Sequence, residues 1–185
     1  MTGSGKVDQN QFGFSTHEYR ICSIRAVDGK GLTTTLFSIG APPHREPTLL
    51  RFGDSFRLQV DYECLMAELP DVSCGVAAAL TRTGDMQHIT YFNTNYPHSD
   101  EEMQSYYKQE FRQYIGRRGT VEAYIPKLQL KPDQYLLTVG ILPNRPTIHE
   151  FYELHYLEYP VAVLSDGPDI PAAFYPNVKF RCEPL

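Results

Sequence analysis

The chain has no tryptophan, no C-x-x-C pair and no long apolar run. Its longest uncharged apolar stretches, residues 75–81 and 135–143, fall far short of the ~20 residues that cross a bilayer as a helix. No basic segment followed by an apolar stretch opens the chain, so a secretory signal is not expected. An excess of basic charge is also missing. Lys and Arg total 17 against 22 Asp and Glu, a net charge of −5. A general nucleic-acid binder carries a basic patch instead, so no nucleic-acid partner is expected.

Several catalytic signatures begin and then fail. Residues 3–6 read GSGK, but a phosphate-binding loop needs G-x-x-x-x-G-K-S/T after a strand, and Val7 follows Lys6. His149-Glu150 opens like H-E-x-x-H, but Glu153 stands where the second histidine belongs. No serine sits in a G-x-S-x-G context. The six histidines (17, 44, 88, 98, 149 and 155) show no tight metal-ligand spacing. No metal, cofactor or catalytic residue is therefore expected. The four cysteines (22, 64, 74 and 182) read as half-buried thiols rather than a disulfide framework, which fits a reducing compartment.

What the chain does have is turn chemistry and aromatic residues: 13 Gly, 14 Pro, 13 Tyr and 10 Phe. That mixture favours strands over helices. Residues 55–63 (SFRLQVDYE) alternate cleanly, with Phe56, Leu58, Val60 and Tyr62 on one face and Arg57, Gln59, Asp61 and Glu63 on the other. Residues 119–125 alternate in the same way. Further strands are expected over 18–27, 32–39, 73–82, 87–93, 135–142, 151–164 (broken at Pro160) and 178–182. Asp28-Gly29-Lys30-Gly31 and Thr83-Gly84-Asp85 read as turns, and the three prolines of residues 41–47 mark a loop. Residues 1–16 look like a flexible linker or a cloning remnant, leaving one domain over 17–185. Residues 96–114 form a long insert with Met103, Tyr106, Tyr107, Phe111 and Tyr114 at near-helical spacing. Its aromatic side chains suit a lid, a dimer contact or the packed face of a short helix. The fold class expected is all-β, an antiparallel β-sandwich or jelly roll.

A sugar site needs flat rings against C–H faces, and amides, carboxylates or guanidinium groups for paired hydroxyls. Core positions of one parity are taken, so candidates lie on the other. Tyr91 and Asn93 share a strand face, as do Glu122 and Tyr124. Arg57 and Asp61 belong to a polar face, and His155 is a weaker candidate. The same parity also describes the solvated side of any half-exposed sheet, and Asn93-Thr94 equally suits turn capping. An enzyme would need a converging acid–base pair, for which only Glu122 and His155 offer themselves.

The order of the segments resembles a known family. Phe52-Gly53-Asp54 precedes an alternating strand. Gly75-Val76-Ala77-Ala78, Gly84-Asp85 and Phe92-Asn93-Thr94-Asn95 resemble its central hairpin. Residues 125–135 (IPKLQLKPDQY) followed by 137–141 (LTVGI) resemble its "P-x-L-x-L-x-P-G-x-Y" crossover and strand, with Asp133 in place of the glycine. Residues 151–163 look like its late strand. Together, over about residues 18–165, they resemble the carboxy-terminal domain of Wzt-type subunits of O-antigen polysaccharide ABC transporters. The resemblance implies a non-catalytic jelly-roll module that binds a bacterial polysaccharide. It implies a homodimer at the cytoplasmic face of the inner membrane, with a nucleotide-binding domain and a membrane subunit as partners. A protein-interaction β-sandwich and, less well supported, a jelly-roll sugar-modifying enzyme are the alternatives.

Overall fold

In a computed structural model, residues 13–68, 74–94, 115–143, 151–165 and 179–184 are described. Eleven strands occur among them: β1 (Gly13–Ser15), β2 (Tyr19–Val27), β3 (Thr33–Ser38), β4 (Thr48–Arg51), β5 (Phe56–Cys64), β6 (Cys74–Arg82), β7 (His88–Asn93), β8 (Arg118–Ile125), β9 (Asp133–Pro143), β10 (Glu153–Leu164) and β11 (Lys179–Pro184). They make two sheets. Sheet A runs β1-β10-β9-β6-β7, with β4 also on β10, and sheet B runs β11-β8-β5-β2-β3. The all-β sandwich expected from alternation and turn spacing is the architecture observed. Among the described residues, no helix is long and apolar enough to cross a membrane.

Alternation made the core. Phe56, Leu58, Val60, Val121, Ala123 and Ile125 are all buried, as their parity requires. They meet Leu137, Val139, Ile141, Tyr159 and Val161 from sheet A in one cluster. The turn after β2 forms as its residues dictate. Asp28 Oδ1 accepts from the backbone N–H of Lys30 (2.9 Å) and Leu32 (2.8 Å), and Gly31 takes φ +83°.

Four details differ from the expectation. Gly13–Ser15, read as linker, pair antiparallel with Glu153–His155. Thr48–Arg51, too short to stand out beside the Pro-rich loop, pair with Val161–Leu164, and this pair is parallel. Pro160 does not break β10. It stays opposite Leu136 of β9, and on its other edge it falls between the pairings with β1 and β4, where no ladder donor is lost. The irregularity instead lies between His155 and Tyr159. These oppose Val139 and Leu137, so four steps on β10 match two on β9. Leu157 there takes φ 51°, and its N–H donates to Thr138 Oγ1 at 2.9 Å. The insert 96–114 and the failed metal motif at His149 lie outside the described residues.

Candidate functional site

The seven candidates were expected on one outer face, and the structure divides them. Arg57, Asp61, Glu122 and Tyr124 come together on the outer face of sheet B. Strands β5 and β8 pair Arg57 with Tyr124, Gln59 with Glu122 and Asp61 with Thr120. These residues form successive rows, about 7 Å apart along the strands. The Arg57 guanidinium lies over the Tyr124 ring, 5.2 Å from its centre. Gln59 Nε2 donates to Glu122 Oε2 at 2.9 Å. Ring, amide, carboxylate and guanidinium thus stand on one surface.

The third row is a hub. Asp61 accepts from Arg25 Nη2 at 2.9 Å on both oxygens, from Ser23 Oγ at 2.5 Å and from Thr120 Oγ1 at 2.7 Å. Its carboxylate is fully used, so it holds Arg25 in place rather than facing a ligand. The buried Nε of Arg25 has no acceptor. Further along, the Arg20 guanidinium donates to Glu63, and this carboxylate holds Arg20 above the usual arginine range.

Arg25 and Ser23 were absent from the sequence candidates for a physical reason. A register shift between Ile21 and Ser23 inverts the parity of β2. Ile21 points inward before it and Ile24 after it. Period-2 counting through Cys22 therefore assigns the wrong face to one half of the strand.

Tyr91 and Asn93 lie on the other sheet. They oppose Ala79 and Ala77 of β6, which belong to the side of sheet A facing away from the common core. Tyr91 is 51% exposed, but Asn93 has no exposed surface, and its Nδ2 donates to the Tyr91 hydroxyl at 3.0 Å. Thr94 closes the hairpin, with its N–H on the Val76 carbonyl and its Oγ1 accepting from the Val76 N–H, both at 3.0 Å. The end of β7 thus does capping work.

His155 is corrected most fully. It is opposite the core residue Val139 and only 8% exposed. Nε2 is 2.9 Å from Glu153 Oε1 and Nδ1 is 2.5 Å from the Tyr159 hydroxyl, while Phe37 meets its ring edge-on at 4.7 Å. Burial raises the Tyr159 phenol far above its ordinary range, so it stays protonated. Its O–H then donates to Nδ1, and the Nε2–H donates to Glu153. The second carboxylate oxygen of Glu153 accepts from the Ile21 N–H at 2.7 Å, at the irregularity of β2. This cluster ties sheet A to sheet B. Glu122, the proposed acid–base partner of His155, sits on the outer face of sheet B, so the pair is not assembled.

Among the described residues, no three His, Cys, Asp or Glu side chains converge as a metal site. Cys22 and Cys64 are free thiols, half-buried as expected. Burial, the largest cause, pushes the Cys22 thiol up.

The sequence matches no family model and no curated protein. The three-dimensional comparison is different. Among solved structures, the crystal structure of the C-terminal domain of Wzt superposes with a TM-score of 0.60. The match covers 91% of this chain and 90% of that one, at 13% sequence identity. The fold is that of the Wzt carboxy-terminal domain. At so low an identity, what the chain shares with Wzt is the course of its strands. Side chains at the Arg57–Tyr124 and Gln59–Glu122 rows must be judged on their own chemistry.

Proposed function

We propose that this chain is a non-catalytic carbohydrate-binding module that recognises a bacterial O-antigen-type polysaccharide for export by an ABC transporter. One arrangement carries the reading: the Arg57–Tyr124 row beside the Gln59–Glu122 row on the accessible face of sheet B. A sugar ring laid across them meets an aromatic face at one end and hydroxyl-pairing groups at the other. Likeness to the Wzt domain supports this choice over other uses of a β-sandwich. A homodimer, a nucleotide-binding domain and a membrane subunit as partners, and a place at the cytoplasmic face of the inner membrane, belong to the same proposal.

The test is calorimetric titration of O-antigen polysaccharide into the full chain. Tyr124→Ala and Glu122→Gln should each weaken binding ten- to a hundredfold, about 1–3 kcal/mol, without unfolding the protein. Tyr91→Ala, on the other sheet, should leave affinity unchanged. Unchanged binding in both sheet-B variants together with loss in Tyr91→Ala would move the site to sheet A.

A further inference from the structure

The sandwich is open along one side, where the edge of sheet A at β4 and the edge of sheet B at β3 border a common groove. The groove holds about 390 Å³ and is lined by Leu32 and Thr34 on one wall, and by Thr48, Leu49 and Leu164 on the other. Three of these are large apolar side chains left in water: Leu32 is 68% exposed, Leu49 60% and Leu164 42%. Natural sheet edges are usually blunted by charge, proline or a covering loop. Here the outward-pointing residue of the edge is a leucine.

Backbone parity says which groups of β4 are open. The Phe52 N–H donates to the Leu164 carbonyl at 2.8 Å, so even-numbered residues of β4 turn their amides toward β10. Leu49 and Arg51 turn theirs away. The Arg51 carbonyl is taken by the Asp54 N–H at 3.3 Å, which leaves the N–H and C=O of Leu49 facing the groove. On the opposite wall, the Leu36 carbonyl accepts from the His44 N–H at 2.9 Å, which sets Thr34 outward by the same parity. Deeper in, Thr48 is 94% buried by its 6% exposure, and its Oγ1 has no hydrogen-bond partner. A buried hydroxyl without a partner is costly to keep and marks a place where one can arrive.

We propose that this groove binds an extended polypeptide segment of a partner protein, added as a strand beside β4. Its main chain pairs with Leu49, and an apolar side chain packs among Leu32, Leu49 and Leu164. A glycan fits poorly, because no tyrosine, phenylalanine or tryptophan lines the groove. Free main-chain groups next to apolar pockets are what strand addition uses. The surface is distinct from the Arg57–Tyr124 face, so the two proposals stand or fall separately.

The probe is a heptapeptide of alternating valine and threonine, blocked at both ends, titrated into the full chain and followed by amide NMR and hydrogen exchange. Shifts centred on Leu49 and Thr34, with tenfold or greater slowing of Leu49 amide exchange, are expected at saturating peptide. Two analogues, methylated on alternate backbone nitrogens in the two possible frames, keep the test independent of any protein variant. One of them should bind at least tenfold more weakly. Leu49→Pro removes the donor and should abolish binding, whereas Leu49→Ala should weaken it severalfold. Equal binding by both methylated analogues, shifts centred on another edge, or no shift at all would overturn the proposal. So would self-association that disappears in Leu49→Pro, since the occupant would then be a second copy of the chain.

Discussion

The two sheets use their polar side chains in opposite ways. On sheet B they form rows across the outer face, where Arg57, Gln59, Glu122 and Tyr124 remain within reach of solvent. On sheet A the central strands are covered on both sides. Ala77, Ala79, Thr138 and Leu142 are buried although they point away from the common core. A Cβ added at Gly140 would lie 2.7 Å from the Phe151 ring. The polar cluster of sheet A, Glu153-His155-Tyr159, faces inward and fastens β10 to β2. A polar residue on sheet A therefore reports on architecture, whereas one on the outer face of sheet B is free to report on ligand.

That contrast is open to attack by mutation. The largest effect is expected from Glu153→Ala, which strands the Ile21 N–H and removes the partner of His155. Urea denaturation should show a loss of about 3 kcal/mol with polysaccharide affinity unchanged at temperatures where the protein stays folded. Next comes Gly140→Val, which forces a side chain into the Phe151 ring and should cost about 1–3 kcal/mol. The matching change on sheet B, Gln59→Val, should stay within about 0.5 kcal/mol. Equal costs in the two would erase the distinction between the sheets. Asp61→Asn weakens the hold on Arg25 and should lower stability by about 1 kcal/mol while weakening glycan binding indirectly. A gain in affinity there would mean that Arg25 itself reaches the ligand.

The smallest effect appears only in alkali. Burial pushes the Tyr135 phenol up to about 12 and raises Tyr159 further. Both groups ionise more readily in the unfolded chain, near 10, so folding favours their protonated forms. Their contribution is complete below pH 10 and is lost as pH rises from 10 toward 12. Thermal melts across that window should show a steeper decline for the parent than for Tyr135→Phe. The Tyr135 hydroxyl donates to the Lys131 carbonyl at 2.6 Å, so the variant should also start slightly less stable at neutral pH.

The same contrast explains what could be read from the sequence. Strands of sheet B with one wet face announced themselves by alternation, and β5 and β8 carry four of the seven candidates. Strands β6 and β9 read as near-continuous apolar runs because both of their faces are covered, so parity could not say which side of Asn93 was accessible. Strand β2 alternates too, but its extra residue at Cys22 inverts the count and hid Ser23 and Arg25. His155 was misplaced because the irregularity of β10 lies at Leu157 and not at Pro160, a feature of pairing with β9 that no local pattern records. Strand β4 has four residues, and it became visible only through a partner in β10 far along the chain.

That distant partnership bears on how the protein assembles. β1 and β4 come early in the chain, yet both complete sheet A by docking on β10, so Thr48 waits for Val161 and Gly13 for His155. Sheet B, by contrast, can begin from the β2–β3 hairpin and β5, which are near neighbours in sequence. Closing loops of roughly a hundred residues is slow, and non-local strand pairing sets the pace of folding in sandwiches of this kind. On the ribosome, sheet B can start to form while Leu49 and Leu50 still lack their strand, leaving a sticky edge until the last quarter of the chain emerges.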